Sequence, residues 1–316
     1  MISKKEITDR LQKLNFPAAV LDRYNESHRY YHTLAHIQKV LDHLGADQQD
    51  DELFLAAVYH DAVYDPRRDD NEERSVDLFS SDAKDAGLDK DAVRNIRQLI
   101  LDTKTHKPSS EKSKKLLHAD LYILDAPLDE QITYEHAIFR EFQFVDFQIY
   151  RQERIKILSE LNTTGKLTDL ITYVRMRNPT IGVFCGSFNP FHKGHYNVLQ
   201  KAESIFDKVI IAFGSNPEKS DKTWPRPAAI ANRQTEEYNG LLTDFVGSLG
   251  YPVVVIRGLR NSTDFQYEQN QYRYLQELLP GIRIVNIFCD KEFEHISSSG
   301  IRTLEKFGKH HKYLLA

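Results

Sequence analysis

The chain has 316 residues, which is enough for two ordinary domains that each bury a core. Hydrophobic residues make up 41% of the chain and charged residues 28%, as is typical of a soluble globular protein. The formal net charge is −4, so no overall basic field points to a nucleic-acid partner.

The first ten residues lack the apolar core of a signal peptide, and no apolar run approaches transmembrane length. We therefore expect no membrane partner and a cytoplasmic location. The two cysteines, Cys185 and Cys289, each end a strand-like apolar run. This placement predicts two buried thiols in a reducing compartment and no disulfide framework.

The first half of the chain, to about residue 177, carries almost only helical patterning. Apolar residues recur at helical spacing in residues 37–44, 54–59 and 93–101. Glycine is scarce, and Gly45 and Gly87 stand where helices would end. We predict an all-α helical bundle as a first domain spanning residues 1–177.

Histidine and aspartate recur at three places in this helical half. His36, the adjacent pair His60 and Asp61, and Asp120 would come from three helices. Neutral imidazoles and carboxylates from separate elements suit a divalent metal with one position open to water. An adjacent His-Asp pair in an apolar helix (residues 53–63) is costly to bury without a partner. The pattern indicates either a metal site or a hydrogen-bonded pair in the core.

Several segments of this half resemble the HD superfamily of metal-dependent phosphohydrolases. The resemblance covers nearly the full domain and is carried by residues 31–36, 60–65, 70–75, 103–106 and 119–121. It implies a divalent transition metal (Mn, Co, Ni, Fe or Zn), with these ligands: His36, His60, Asp61 and Asp120. Such a cation would lower the pKa of a bound water and polarise a phosphoryl oxygen.

Other polar residues nearby are candidates for substrate contacts. His32 lies four residues before His36, on the same predicted helix face, where it would meet a substrate phosphate or a second metal. Lys104 and His106 would contact an anionic substrate, or lie in a solvated loop. Glu72 would orient the attacking water, or belong to a charge cluster that favours a helix start.

The boundary between the two halves falls near Pro179. Residues 157–177 indicate closing helices with a break near Gly165. Asn178 precedes Pro179, and the residue before proline favours extended geometry over helix. We therefore predict a second domain at residues 180–316.

A ten-residue run, Gly-Ser-Phe-Asn-Pro-Phe-His-Lys-Gly-His, occupies residues 186–195. It follows a predicted buried strand and precedes a predicted amphipathic helix. A strand, a glycine-bearing turn and a helix start together present backbone N–H groups and a helix dipole to a phosphate. Gly186 and Gly194 would let the backbone approach a ligand, and His192 and His195 would be donors. The alternative is a surface turn with incidental histidines.

Further strands are predicted at residues 208–213, 252–256 and 282–288, alternating with helices. This alternation indicates an α/β domain with a parallel, Rossmann-like sheet. Lys219, after the second strand, and Arg233, opening the next predicted helix, would each neutralise a phosphate or be plain surface. Three serines at 297–299 open the last helix, where they can cap it and offer hydroxyl and N–H groups to a triphosphate.

The run at 186–195 resembles the signature of the HxGH nucleotidyltransferase superfamily, which transfers a nucleoside monophosphate from a triphosphate to an acceptor phosphate. Later segments are similar to the phosphopantetheine adenylyltransferase family over roughly residues 181–304. They are Asn-Pro-Glu-Lys at 216–219, Arg-Gly-Leu-Arg at 257–260, Asp-Phe-Gln-Tyr-Glu at 264–268 and Ile-Ser-Ser-Ser at 296–299. The resemblance implies ATP, with Mg²⁺, and 4′-phosphopantetheine as substrates.

The same resemblance implies roles for individual residues. His195, with Ser187, would contact the reacting α-phosphate, and Lys219 would hold the phosphate of the acceptor. Arg257 would bind ATP and complete the predicted catalytic set of His195, Lys219 and Arg257. The nucleotide and substrate contacts would be Ser187, Phe188, His192, Gly194, Arg233, Gly258, Arg260, Glu268, Ser297, Ser298, Ser299 and Arg302. Among these, Glu268 would bind the ATP sugar, and the serines and Arg302 would face the triphosphate.

The sequence departs from the phosphopantetheine adenylyltransferase pattern at three places. Asn189 stands where aspartate is usual, His192 where threonine is usual, and the polar loop 220–228 is longer. The first two favour an alternative, a nicotinamide or nicotinate mononucleotide adenylyltransferase. For the first half, the alternative is a nucleotide-sensing or assembly module without turnover. We expect a bifunctional enzyme, forming a homo-oligomer, that uses ATP and a phosphorylated small-molecule acceptor.

Overall fold

The computed structural model describes residues 1–215 and 224–315. The chain divides into two compact units. The helical unit comprises Met1–Phe142 and Arg151–Arg175, and the α/β unit comprises Gln143–Tyr150 and Met176–Ala316. That residues 143–150 group with the second unit was not predicted from the sequence.

The helical unit contains no strand among its residues, so the prediction of an all-α first half is confirmed. The α-helices of this half are α1 Lys4–Lys13, α2 Leu34–Leu44, α3 Asp51–Tyr59, α4 Asn71–Ala86, α5 Lys90–Thr105, α6 Glu111–Asp120, α7 Leu128–Glu141, α8 Phe147–Leu161 and α9 Thr168–Met176. Helices α2 and α4 end at Gly45 and Gly87, as predicted. Gly87 has φ of 72°, the left-handed conformation that glycine adopts without strain.

Helix α3 is the centre of the helical core. Every residue from Leu53 to Tyr59 is buried, which fits its nearly continuous apolar sequence. The prediction that this helix continues to residue 63 is wrong, because α3 ends at Tyr59 and His60 follows it. The carbonyls of Asp61 and Ala62 accept hydrogen bonds from the buried guanidinium of Arg29 (N···O 2.8 and 3.3 Å). The helix can therefore end here without leaving these buried carbonyls unsatisfied.

The α/β unit is built on a five-stranded parallel sheet, as the alternating pattern predicted. Its strands are β1 Ile181–Gly186, β2 Lys208–Gly214, β3 Thr235–Tyr238, β4 Val254–Leu259 and β5 Arg283–Phe288, in the order β3-β2-β1-β4-β5. Val183 in the central strand pairs with Ile210 and Val255, and all three are fully buried. The helices that follow the strands are α10 Lys193–Glu203, α11 Leu242–Ser248, α12 Ser262–Leu278 and α13 Ser298–Glu305.

Strand β3 was not predicted. Its sequence, Thr-Glu-Glu-Tyr, has no apolar run, because it lies at the sheet edge with its residues only half buried or exposed. The prediction that a helix opens at Arg233 is wrong for this reason. Arg233 immediately precedes this edge of the sheet, and the next α-helix begins at Leu242.

Lys208, at the start of β2, is a buried lysine that attaches residues 143–150 to the sheet. Its ammonium donates to the carbonyls of Gln143 and Val145 (2.5 and 2.8 Å). Burial lowers the pKa of Lys208 to about 7, although Asp146 and Glu236 raise it. The lysine thus gives the α/β unit a polar anchor for a segment distant in sequence.

Both cysteines, Cys185 and Cys289, are buried free thiols, as the sequence predicted. Within residues 1–215 and 224–315, no helix combines the length and the apolar character that crossing a membrane requires.

Candidate functional site

Four polar side chains of the helical unit converge where the N-terminal end of α2 meets the C-terminal ends of α3 and α6. His36 lies on α2, His60 and Asp61 directly follow α3, and Asp120 ends α6. Oδ1 of Asp120 lies 3.0 Å from Nε2 of His36 and 3.3 Å from Nε2 of His60. Oδ2 of Asp61 lies 3.1 Å from Nε2 of His60 and 3.7 Å from Nε2 of His36.

The donor set of this cluster fits a divalent cation. Ligand atoms of His36, His60 and Asp120 all lie within 4.8 Å of one another, and both histidines are buried. Nε2 of His60 has no hydrogen-bond partner of acceptable geometry within the described part of the chain. Two imidazole nitrogens aimed at the same carboxylate oxygen are what a shared metal would organise. The cluster can therefore hold a metal, with Asp61 beside it as a further oxygen donor.

The electrostatics of the cluster are dominated by its two carboxylates. Burial alone would lower the pKa of His60, but Asp61 and Asp120 raise it well above its ordinary value. Burial would raise the pKa of each carboxyl, and the neighbouring histidines instead hold both below the usual range. The site attracts positive charge.

His32 lies outside helix α2, so the prediction that it shares a helix face with His36 is wrong. The helix begins at Leu34, with Thr33 as its N-cap residue. Residues 30–33 form a bend before the helix, and the backbone N–H of His32 donates to Glu141 (N···O 3.0 Å). The rings of His32 and His36 are nevertheless close, with centroids 6.0 Å apart.

Three further candidates lie at the ends of α4 and α5. Glu72 is half buried in the first turn of α4; burial raises the pKa of its carboxyl, and the charge of Asp61 raises it further. Lys104 is exposed and pairs with Glu73 (2.6 Å). His106 is exposed and ends α5 with φ of 53°. The structure thus brings Glu72 near the charge of the cluster and leaves Lys104 in an ion pair of its own.

A cavity of about 650 Å³ opens in the α/β unit at the carboxyl ends of β1 and β4. Ligands bind at this edge in open parallel sheets, because the strands end there and the following helices begin. The predicted residues that line it are Ser187, Phe188, His192, Gly194, His195, Arg257, Gly258, Arg260, Glu268, Ser297, Ser298, Ser299 and Arg302. The structure therefore brings together most of the residues that the sequence predicted for this site.

His192 and His195 hold each other at the start of α10. Nδ1 of His192 accepts the backbone N–H of His195 (3.4 Å), and Nδ1 of His195 accepts the backbone N–H of His192 (3.3 Å). The two rings stack, with centroids 3.6 Å apart. Because both Nδ1 atoms are acceptors, each neutral ring carries its proton on Nε2. This reciprocal cap fixes two N–H donors at a helix N-terminus.

Two glycines make this arrangement possible. A Cβ on Gly194 would lie 3.2 Å from the ring of His192, which is tighter than ordinary van der Waals contact. A Cβ on Gly186 would lie 2.9 Å from the ring of Phe188. Glycine at these positions lets the rings of Phe188 and His192 pack directly on the backbone.

Two arginines in the cavity are held by carboxylates on α12. Arg257 makes two bonds to Glu268 (both 2.6 Å), and Arg260 makes two to Asp264 (both 2.9 Å). Burial would lower the pKa of Arg257, but Cys185 and Glu268 raise it. Both carboxylate oxygens of Glu268 are engaged by Arg257, so the glutamate orients an arginine in this structure.

The N-terminus of α13 forms another wall of the cavity. Ser297 is its N-cap residue and accepts the backbone N–H of Gly300 (3.1 Å), as the serine pattern predicted. Ser298 donates to the carbonyl of Pro190 (3.1 Å), and Arg302 donates to the carbonyl of Asn189. These bonds connect α13 to the turn that precedes α10, so two helix N-termini face the same cavity.

Two other predicted residues are not among those that line the cavity in the described part of the chain, for different reasons. Lys219 lies outside the described residues. Arg233 lies elsewhere in the α/β unit, where its guanidinium pairs with Glu203 (2.6 and 3.0 Å). Sequence reasoning also missed Asp264 and Tyr267, which line the cavity. The four-residue spacing from Arg260 was the available signal for Asp264.

Comparison with known proteins identifies the second half of the chain. A family model described as cytidylyltransferase-like matches residues 183–304. The phosphopantetheine adenylyltransferase of Levilactobacillus brevis is 34% identical over 145 residues, covering 43% of this chain and 89% of that protein. This chain belongs to the cytidylyltransferase-like family.

Two other relatives match a similar length of this chain. The phosphopantetheine adenylyltransferase of Porphyromonas gingivalis is 34% identical over 144 residues, 41% of this chain and 89% of that protein. That of Cytophaga hutchinsonii is 35% identical over 136 residues, 40% of this chain and 90% of that protein. The α/β unit is thus a nucleotidyltransferase unit homologous to these enzymes. No HD-type family model matches the helical unit.

Proposed function

We propose that the α/β unit transfers the adenylyl group of ATP to 4′-phosphopantetheine, releasing pyrophosphate and dephospho-coenzyme A. The observation that carries this proposal is the reciprocal cap that His192 and His195 form at the N-terminus of α10. It supplies two neutral N–H donors where the family places a nucleotide phosphate. The homology to phosphopantetheine adenylyltransferases supports the acceptor.

The reaction needs no covalent nucleophile on the protein. A phosphate oxygen of the acceptor attacks the α-phosphorus of Mg-ATP in line, and the bond to the bridging oxygen of the pyrophosphate leaving group breaks. Nε2–H of His195, with Ser187, would donate to the non-bridging α-phosphate oxygens, whose charge grows in the transition state. Arg257, oriented by Glu268, and the N-terminus of α13 would hold the remaining phosphates. Lys219 would hold the acceptor phosphate.

A panel of acceptors tests this function. Purified protein with ATP is expected to release pyrophosphate with 4′-phosphopantetheine and not with nicotinamide or nicotinate mononucleotide. His192 and Asn189 favour the mononucleotides, so they are the informative competitors. The opposite preference would replace our acceptor with a pyridine mononucleotide while leaving nucleotidyl transfer intact.

We propose that the helical unit is a metal-dependent phosphohydrolase that acts on a phosphate ester or anhydride. The converging His36, His60 and Asp120 carry this proposal, with Asp61 as fourth ligand. A divalent transition metal held there would acidify a water and polarise a phosphoryl oxygen. Glu72 would orient that water, and His32 would contact the substrate phosphate. Lys104 and His106 are the outermost candidates for substrate contacts.

Metal content and turnover together test the second function. We expect the purified chain to contain a transition metal in near-stoichiometric amount, and to hydrolyse at least one compound in a panel of phosphomonoesters and nucleotides. Metal without turnover on any compound would favour the alternative, a nucleotide-sensing or assembly module. Absence of metal, with stability unaffected by chelators, would make the cluster a structural His-Asp network.

We also propose that the chain forms a homo-oligomer. Helix α12 has no buried residue over its 17 positions, and Tyr272 and Tyr274 on it are 37% and 63% exposed. Large exposed aromatic side chains on one element are typical of interaction surfaces. Light scattering should give a mass above the 36.7 kDa of one chain, and a strictly monomeric mass would contradict the proposal.

A further inference from the structure

Glu141, the last residue of α7, is a buried carboxylate that lies outside the metal cluster. Only 1% of the surface of Glu141 is exposed. Oε1 accepts the backbone N–H groups of Tyr30, Tyr31 and His32 (2.7, 2.7 and 3.0 Å). Oε2 accepts the hydroxyl of Tyr64 (2.8 Å) and lies 2.6 Å from Nδ1 of His32. These donors offset the cost of removing a carboxylate from water.

These bonds tie together two segments that flank the metal cluster. Residues Tyr30 to His32 lead into helix α2, which carries His36. Tyr64 lies three residues after Asp61. The ring of Tyr64 also stacks on that of His32, with centroids 4.2 Å apart. Glu141 therefore fixes the backbone, the ring plane and one ring nitrogen of His32 at once.

The contact also determines which nitrogen of His32 carries the proton. Several donors stabilise the ionised form of Glu141, so its pKa is lowered to about 2 although burial raises it. An ionised carboxylate can only accept, hence Nδ1 of His32 must donate to it. Within residues 1–215 and 224–315, the ring of His32 makes its hydrogen bond through Nδ1, and its side chain is 21% exposed. Nε2 is the nitrogen left for a ligand.

We propose that Glu141 is a positioning residue of the phosphohydrolase site, which orients His32 through Nδ1 so that Nε2 faces the substrate. The orientation of His32 follows from the contacts alone, whereas its use in turnover rests on the phosphohydrolase function proposed above. The two parts can therefore fail separately.

The substitution Glu141→Gln tests the positioning with almost no change of shape. Three backbone N–H donors at the Oε1 position require an acceptor there, so the glutamine carbonyl must occupy it. The amide NH₂ then faces Nδ1 of His32, which must become an acceptor, and the ring proton must move to Nε2.

Nitrogen NMR of ¹⁵N-histidine-labelled full-length protein reports this proton directly, at a pH where the imidazole is neutral. The signals of His32 are identified by their loss in His32→Asn. We expect a protonated Nδ1 in the wild type and a protonated Nε2 in Glu141→Gln. Tyr64→Phe is the matched control, because it removes the other partner of Oε2 and should leave the proton on Nδ1. A protonated Nε2 in the wild type overturns the proposal without any variant.

Activity tests the functional part. With a hydrolysable substrate from the panel, Glu141→Gln should lower kcat by about 10- to 100-fold, the usual effect of losing a residue that orients a site ligand. Tyr64→Phe should keep a kcat closer to that of the wild type. An inverted ring proton with unchanged kcat overturns the role of His32 orientation in turnover. A wild type that hydrolyses nothing removes the phosphohydrolase function, and the NMR result then judges the orientation by itself.

Discussion

Each of the two units brings a pair of histidines together, but with different partners. In the helical unit, His36 and His60 face Asp120, whose Oδ1 is 3.0 and 3.3 Å from their Nε2 atoms. In the α/β unit, His192 and His195 accept backbone N–H groups and stack on each other. The nearby carboxylates raise the pKa of His60. Burial, with a smaller effect of Arg260, lowers the pKa of His192 to about 4.

The comparison shows that the neighbours of a histidine decide what the pair can bind. Imidazoles that share carboxylates form a negative pocket that attracts a cation. Neutral imidazoles with Nδ1 tied to the backbone present N–H groups to an anion, with arginines nearby. The same residue type thus supports opposite ligand charges in one chain, and substitutions can test each assignment separately.

The largest expected effect comes from removing the shared carboxylate of the helical unit. In Asp120→Asn, the oxygen between His36 and His60 loses its charge, so the metal should be lost. We expect phosphohydrolase activity to fall by more than the roughly 100-fold typical of residues that only orient ligands. Metal analysis and hydrolase rates measure this, and adenylyl transfer should be unchanged.

Asp125→Asn is the matched control for this variant. Asp125 is a carboxylate of the same unit, half exposed and paired with Lys166 (2.8 Å) outside the cluster. It should keep both metal and activity. Chelation should lower the melting temperature of the wild type and of Asp125→Asn, but not that of Asp120→Asn, because only bound metal stabilises the folded state by linkage. Equal metal content in all three proteins would refute the assignment of the His36, His60 and Asp120 cluster as a cation site.

The second largest effect is expected from His195→Ala. Its Nε2–H is proposed to act on charge that develops in the transition state, so kcat should fall about 10²- to 10³-fold, with a smaller change in KM. Pyrophosphate release under saturating substrates measures it. His295→Ala, an exposed histidine of the same unit, is the control and should behave as the wild type. A raised KM with unchanged kcat would make His195 a binding group only.

In the helical unit, the sequence predicted the residues of the metal cluster but not Glu141, which holds the segment leading into α2. His36, His60, Asp61 and Asp120 were named from residue type and recurrence, and they do converge. Glu141 was not named, because one glutamate at the end of an amphipathic helix has no distinctive pattern. Its function depends on contacts with residues about 110 positions earlier, which no local periodicity encodes.

In the α/β unit, the apolar strands could be predicted from the sequence, and the polar edge strand β3 could not. Buried apolar runs identify β1, β2 and β4 inside the sheet, where both faces must be covered, and β5 keeps an apolar sequence although it is the other edge strand. Strand β3 lies at an edge, where that requirement relaxes, so its polar sequence was missed. The pairing of Arg257 with Glu268 was also missed, since the family resemblance gave both residues to ATP and said nothing of their contact with each other.

The third prediction concerns the acid stability of the α/β unit. The pKa of His192 is about 4 in the folded state, against about 6.5 in the unfolded chain. Between these values the unfolded chain binds more protons, so the free energy of unfolding must decrease as the pH falls. The stability that this residue loses from above pH 6.5 to below pH 4 is about 3 kcal/mol.

His192→Asn isolates this contribution, because asparagine can still cap α10 but does not titrate. The free energy of unfolding should therefore decline less steeply with acid in the variant. Denaturant unfolding followed by the fluorescence of Trp224 measures it, since this single tryptophan belongs to the α/β unit. Parallel pH curves for the two proteins would show that His192 does not titrate abnormally, and would weaken the contrast with His60.

The smallest expected effect separates a helix N-terminus that faces a ligand from one that does not. Ser297 caps α13 at the cavity and Ser110 caps α6, each by accepting a backbone N–H at 3.1 Å. Replacing either with alanine should cost about 1 kcal/mol of stability. Only Ser297→Ala should also raise the KM for ATP, by roughly fivefold for a loss of similar size. If Ser110→Ala raised that KM equally, the change would reflect general destabilisation, and the N-terminus of α13 would have no special role in binding phosphate.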